Sequence, residues 1–275
     1  MTKNETKQNF RQHVVGGIRA TLRPIVGRLF RQKILHDMQF EYALCLLLIP
    51  HRLRLPSLGL QNLFPNFDST VVRLERMPKG SWSSPVVDLA TLCKLISLLQ
   101  PRKVLELGCF RGYTSYGIAS HLAENGHLVA MDCNPEHGEA YKNTDVAKRI
   151  ERRVGFIDPQ MFSEDELGSY DVIFIDADHR YAAVEHDTQT VLPYLAEDGW
   201  LVWHDYANWG YFSGACGVPE YLSDLSQKLP VVQITGTNMA LHRPIWSQRR
   251  HELDAALSAT YNQKGKLWED GTPRS

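Results

Sequence analysis

The sequence predicts an α/β protein with a mostly parallel sheet and a helical extension ahead of it. From about Val71 onward, short apolar runs alternate with stretches of helical periodicity, the pattern of a parallel sheet with crossover helices. One run, Asp171-Val172-Ile173-Phe174-Ile175-Asp176, is apolar at consecutive positions, as expected for a strand covered on both faces. The last two apolar runs are separated by Gly236-Thr237-Asn238, so the sheet should close on a hairpin with one reversed strand.

The elements follow in order. Ser84 suits a helix N-cap, Pro85 a first helical position, and Leu89, Leu92, Leu95, Ile96 and Leu99 recur at helical spacing until Pro101. Lys103–Leu107 reads as a strand that breaks into Gly108, followed by a helix over Thr114–Glu124 and a strand over His127–Asp132. A helix over Pro135–Ile150 and a short strand at Val154–Ile157 come next. After the Asp171–Asp176 strand come a helix near Ala182–Leu195, a strand at Gly199–Trp203 and a helix near Pro219–Lys228. Val231–Thr235 and Met239–Arg243 form the hairpin, and residues 246–275 read as a short helix and a polar tail. Ahead of the sheet, residues 1–33 are basic, 34–50 suit one helix stopped by Pro50, and 51–68 read as an irregular connector. The expected division is an extension over 1–70, a main domain over 71–245, and a C-terminal helix and tail over 246–275.

Composition narrows the function. The chain has 275 residues, 43% of them apolar and 22% charged, which excludes a disordered chain, a fibre and a disulfide mini-protein. Cys45, Cys93, Cys109, Cys133 and Cys216 form an odd set without a C-x-x-C pair, which points to a reducing cytoplasm. The longest apolar run, Tyr42 to Ile49, falls short of the roughly 20 residues a spanning helix needs. No signal-peptide core precedes it, although an Arg-rich, acid-poor start is also the composition of a transit peptide. The net charge of −1 conceals an asymmetry: residues 1–60 carry ten Lys/Arg against three Asp/Glu, and the remainder is correspondingly acidic.

Ligands of open α/β sheets bind beyond the carboxyl ends of the strands. The first such end is Glu106-Leu107-Gly108-Cys109-Phe110-Arg111-Gly112-Tyr113-Thr114. Its glycines permit a tight turn, and the next helix offers free N–H groups. The G-x-x-x-G spacing fits neither a dinucleotide fingerprint nor a Walker loop. Glu106 would repel a pyrophosphate and attract a cation such as S-adenosylmethionine, which carries an ammonium and a sulfonium. Asp132 ends the next strand, a place suited to gripping a ribose diol.

Val104–Ser115, Met131-Asp132, Phe174–Tyr181 and Trp200–Tyr206 together resemble class I S-adenosylmethionine-dependent methyltransferases. The Glu-Leu-Gly…Gly-Tyr-Thr and Phe-Ile-Asp-Ala-Asp-His…Tyr forms are most similar to small-molecule O-methyltransferases of the catechol and sugar types, a pattern cephalosporin-hydroxylase-like proteins share. The resemblance covers about residues 80–245 and implies a Rossmann-like sheet of seven strands with the last one reversed. It implies a cofactor site at Glu106, Gly108, Cys109, Phe110, Gly112, Thr114, Asp132 and Asp176, with Asp158 bordering the adenine.

Asp176-Ala177-Asp178-His179 and His204-Asp205 end neighbouring strands. A hydroxyl is a poor nucleophile at neutral pH; a divalent cation lowers its pKa and a base then takes the proton. Carboxylates suit Mg²⁺, so Asp176 and Asp205 are candidate ligands. His204 stands where the sugar enzymes often carry an acid, and an imidazole there equally suits Mn²⁺, Fe²⁺ or Zn²⁺. His179 is the candidate base, with Asp178 its rival. Tyr206, Trp209, Tyr211 and Phe212 form an aromatic loop that either stacks on an acceptor or packs as a lid.

The expected acceptor is a small-molecule hydroxyl on a sugar, glycoside or phenol. Nucleic acid is disfavoured, because an acidic body and an Asp-Ala-Asp-His segment replace the Asn/Asp-Pro-Pro-aromatic motif of amino-methylases. The alternative is a non-catalytic interaction protein tethered by its basic front. That front suits peripheral contact with an anionic membrane through residues 1–55, or a cap or arm in a homo-oligomer.

Overall fold

The computed structural model describes residues 54–78, 83–206 and 217–266. Among them eight strands form one sheet in the order β1-β7-β8-β6-β5-β2-β3-β4. In chain order these are β1 (Ser57–Leu58), β2 (Lys103–Leu107), β3 (His127–Asp132), β4 (Ile150–Val154), β5 (Tyr170–Ile175), β6 (Leu195–Trp203), β7 (Val231–Ile234) and β8 (Ala240–His242). The helices are α1 (Val86–Leu99), α2 (Tyr113–His121), α3 (Tyr181–Val191), α4 (Val218–Leu225) and α5 (Arg250–Lys266). All pairings are parallel except those of β8, which runs antiparallel to both β6 and β7.

Side-chain alternation divides the core in two. On central β5, Ile173 and Ile175 enter one apolar layer and Val172 and Phe174 the other. On β2, Leu105 and Leu107 enter the first layer, whereas Val104 enters the second. Glu106 shares the face of Val104 and is fully buried. Its Oε2 accepts the Ser115 hydroxyl of α2, while its Oε1 has no hydrogen-bond partner. Burial pushes this carboxyl up to about 8, against the opposing effect of the Ser115 bond.

Five features differ from expectation. The connector at 51–68 contains β1, which extends the sheet through Ser57↔Gln233 and Leu58↔Ile234. Leu55 N donates to Tyr206 Oη (2.7 Å) and Gly59 N to Thr260 Oγ1 (3.0 Å), so the main unit begins some fifteen residues ahead of the expected boundary at 71. The C-terminal helix is longer than the short one expected: α5 has 17 residues and buries Leu253, Ala256 and Thr260, while residues 267–275 of the expected tail lie outside the described residues.

The helix expected over 135–150 is replaced by turns and a 3-10 segment at Asp145–Arg149. Gly138 N and Ala140 N donate to the carbonyls of Phe110 (2.7 Å) and Arg111 (2.8 Å), so their bonds go to the glycine turn. Gly138 itself has φ +97°, outside the helical region. Strand β4 starts at Ile150, earlier than the expected Val154, and ends where Gly155 adopts φ +155°. Ser84 does not cap α1: Pro85 is the N-cap, and Ser84 Oγ instead lies 3.4 Å from Thr114 Oγ1.

Two measurements check this account. Leu58→Ala removes a fully buried side chain from β1 and should cost about 2–5 kcal/mol in urea unfolding. Val71→Ala, at a position 76% exposed, should stay within about 0.5 kcal/mol. Glu106 is protonated in the fold up to about pH 8, whereas an unfolded chain ionises it from about 4.5. The folded state therefore binds the extra proton in that window, and stability contributed at low pH is lost as pH rises through it. Glu106→Gln should raise the thermal midpoint of the isolated protein at pH 8, with the difference closing towards pH 5.

Candidate active site

A cavity of about 690 Å³ opens at the carboxyl ends of β2, β3, β5 and β6. The glycine turn after β2 forms one wall. Gly108, Phe110 and Gly112 all have positive φ, of 86°, 41° and 81°. A Cβ on Gly108 would lie 2.1 Å from the carbonyl oxygen of Asp176, so only glycine lets the turn approach the end of β5. Phe110 pays for the same conformation with a side chain, a strain typical of ligand-binding turns.

Asp132 fixes that turn from the end of β3. Its Oδ2 accepts Phe110 N (2.8 Å) and lies 3.0 Å from His137 Nδ1, and its Oδ1 accepts Asn134 N (2.9 Å). Burial opposes the charged form of this carboxylate, but these donors outweigh it and hold the pKa below its ordinary value. Gly108, Cys109, Phe110, Gly112, Thr114 and Asp132 all border the cavity. Burial pushes the Cys109 thiol upward, which leaves it protonated and inert.

Two expected cofactor residues are elsewhere. Glu106 is beneath the turn and does not border the cavity, because strand alternation directs it towards α2. Asp158 is exposed and caps a 3-10 turn, Pro159–Met161, through Gln160 N (2.8 Å). The wall there is formed by Gly155, Phe156 and Ile157, with Phe156 82% exposed. Because β4 starts and ends earlier than expected, Gly155–Ile157 rather than Asp158 follow the strand at the cavity.

The cavity floor brings Asp176, His179, His204 and Asp205 together. His179 Nε2 lies 2.6 Å from Asp205 Oδ2 and 3.8 Å from Asp176 Oδ1. His204 Nδ1 lies 3.3 Å from Asp176 Oδ1 and 3.4 Å from Asp205 Oδ1. Burial lowers both imidazoles, yet the neighbouring carboxylates outweigh it, raising His179 to about 10 and His204 well above its ordinary value. The same contacts hold Asp205 well below the carboxylate range despite its burial. Asp205 has φ +58°, a left-handed conformation that aspartate tolerates better than most residues.

Ligand atoms of Asp176, His179 and Asp205 all lie within 4.8 Å of one another, and two carboxylates with an imidazole are a donor set that fits a divalent cation. The expected ligand His204 lies behind this group, 3% exposed, rather than in front of it. Asp178 is engaged elsewhere: its carboxylate pairs with the Arg180 guanidinium and accepts Arg180 N (2.9 Å). Burial disfavours the charge on Asp178, but Arg180 outweighs it and holds the pKa below its ordinary value.

Sequence reasoning missed Asp88 and Asn238. Asp88 is 2% exposed; its Oδ2 lies 3.0 Å from His204 Nε2, and its Oδ1 accepts Asn238 N (3.1 Å). Asn238 Nδ2 in turn donates to Asp205 Oδ1 (3.0 Å). The signal for Asp88 was available, since it shares the helical face of Leu92, Leu95 and Ile96 and so is an acid on a core-facing stripe. Of the aromatic loop, Tyr206 is buried beside Leu55, while Trp209, Tyr211 and Phe212 lie outside the described residues.

Residues 105–206 match a family model described as a methyltransferase domain. A caffeoyl-CoA O-methyltransferase of Zea mays is 32% identical over 123 residues, covering 42% of this chain and 46% of that protein. A catechol O-methyltransferase of Niastella koreensis is 40% identical over 91 residues, covering 30% of this chain and 41% of that protein. The chain thus spans less than half the length of these relatives. Among solved structures, the O-methyltransferase TomG of Streptomyces achromogenes, in complex with S-adenosylmethionine, superposes with a TM-score of 0.51 at 19% identity. That match covers 65% of this chain and 94% of TomG, and it establishes the likeness of the folds. Over residues 105–206 the chain is thus similar to methyltransferase domains, and over part of its length to O-methyltransferases of the caffeoyl-CoA and catechol types.

Proposed function

We propose that the protein transfers the methyl group of S-adenosylmethionine to a hydroxyl of a small molecule, with a divalent cation held by Asp176 and Asp205. The observation that carries this reading is one cavity running from the glycine turn to the Asp176–His179–Asp205 cluster. A methyl donor on the turn and a hydroxyl on the cluster would meet within it. The names of the relatives favour a phenol as acceptor, and sugar hydroxyls suit the same chemistry.

In the transfer, the acceptor oxygen attacks the methyl carbon as the carbon–sulfur bond breaks, and the hydroxyl proton must leave. A divalent cation held by Asp176 and Asp205 would supply the charge that lowers the pKa of the hydroxyl, and the same charge would lower that of His179, whose extra proton would pass to solvent. In its neutral form His179 would take the hydroxyl proton at Nε2, the nitrogen that faces Asp176 and Asp205. Asp178 is the weaker base, because its pairing with Arg180 stabilises the charged form. Gly108 and Asp132 set the shape of the turn, and with it the position of the donor.

The remaining expectations concern the chain's surroundings. No described helix is long and apolar enough to cross a membrane. Membrane contact through residues 1–55 falls almost wholly outside the described residues, and Leu55 itself is buried against the sheet. Cytoplasmic residence and self-association remain part of this proposal.

Titration calorimetry of the full chain should detect S-adenosylmethionine; absence of binding at millimolar concentration would overturn the methyltransferase reading. With a labelled methyl donor and a panel of catechols, caffeate and glycosides, transfer should require Mg²⁺ or Mn²⁺ and stop with chelator. Asp176→Asn should lower kcat/KM by about 100-fold or more. His179→Ala should lower kcat by about 100-fold while Mn²⁺ affinity is kept. Loss of both together would make His179 a third ligand instead.

A further inference from the structure

We propose that Asp88 is a positioning residue for the cation site, acting through His204 and Asn238 on the two carboxylates that would hold the ion. The inference rests on the metal reading above and concerns Asp88 and Asn238, which do not border the cavity. Asp88 lies in the first turn of α1, and an acid there is ordinarily explained by the helix dipole and left in solvent. Here the side chain is 2% exposed on the helix's core-facing stripe. A buried carboxylate costs several kcal/mol unless its oxygens are matched, so an apolar residue would serve packing at least as well.

Both oxygens are matched, and both partners lead to the cluster. Oδ2 takes His204 Nε2 (3.0 Å), which turns the ring's other nitrogen, Nδ1, into the gap between Asp176 and Asp205. Oδ1 takes Asn238 N (3.1 Å), which fixes the β7–β8 turn so that Asn238 Nδ2 reaches Asp205 Oδ1 (3.0 Å). The four residues close a ring, Asp88–His204–Asp205–Asn238, whose members are all at most 4% exposed. The ring engages Oδ1 of Asp205 from behind and leaves Oδ2 facing His179. Carboxylate-oriented imidazoles behind metal ligands act in this way, and their loss weakens metal affinity by about 10–100-fold.

The test uses the full chain, Mn²⁺ as probe, and calorimetry with electron paramagnetic resonance as readouts. Asp88→Asn keeps the shape but removes the charge and should weaken Mn²⁺ binding about 10-fold or more, with an altered Mn²⁺ spectrum. His204→Gln should do the same. The double variant should bind no worse than the weaker single one, because both break one chain of contacts. S-adenosylmethionine affinity should stay within about twofold in each, since the glycine turn lies outside the ring. Unchanged Mn²⁺ affinity in Asp88→Asn, full additivity with His204→Gln, or parallel loss of S-adenosylmethionine binding would each overturn the proposal. Should Asp88→Asn fail to fold, Asn238→Ala cuts the ring at Asp205 and should lower Mn²⁺ affinity several-fold; no change there would overturn it equally. Failure of the wild-type chain to bind Mn²⁺ would instead overturn the metal reading, and the positioning role with it.

Discussion

Two carboxylates at the ends of adjacent parallel strands repel one another unless positive charge lies between them. This constraint governs the centre of the molecule. Strands β5 and β6 deliver Asp176 and Asp205 to one crevice, and the register Ile175↔Trp203 fixes how closely they meet. Two imidazoles relieve the repulsion from opposite sides, His204 from within the core and His179 from the cavity. Their raised pKa values are the counterpart of that relief, because the neighbouring carboxylates favour the charged imidazoles and outweigh their burial. A divalent cation would satisfy the same constraint with more charge. The geometry that holds two imidazolium groups is thus already suited to a metal.

The second dependency is a close approach of backbones. The turn after β2 comes so near the end of β5 that a methyl group on Gly108 would overlap the Asp176 carbonyl. The glycine-turn half and the acidic half of the cavity are therefore coupled through one missing side chain, and not only through a shared sheet. Asp132 ties the other end of the turn by accepting Phe110 N, and the segment after β3 covers it through Gly138 N and Ala140 N. Three consecutive strand ends thus act on one turn, which gives it a rigid shape before any ligand arrives.

Much of this was legible because parallel strands announce their ends. An apolar run that stops on an acid marks the carboxyl edge of the sheet, and Asp132, Asp176 and Asp205 each stand at or just past such a stop. What could not be read has physical causes. A two-residue strand such as β1 has too few positions to show alternation, so Ser57-Leu58 passed as connector. Residues 135–150 have helix-compatible composition, yet tertiary bonds to Phe110 and Arg111 outcompete the local ladder. Glu106 stands at the expected sequence position, but alternation along β2 directs it away from the cavity. Asp88 and Asn238 each had a sufficient local explanation, a first-turn acid and a hairpin-turn residue, and that explanation hid a second role.

The reversed strand accounts for why Asn238 can have that role. In a purely parallel sheet every strand arrives at the ligand edge by its carboxyl end, so the residues beyond those ends supply the site. Strand β8 runs the other way between β6 and β7, and its first residue, Ala240, pairs with Trp203 at the last position of β6. The turn that precedes β8 therefore lies at the same edge as His204 and Asp205. Asn238 reaches Asp205 from a direction that no crossover loop approaches, while its backbone N–H meets the first turn of α1. A hairpin set between β6 and the edge strand β1 thus also closes the polar ring behind the acids.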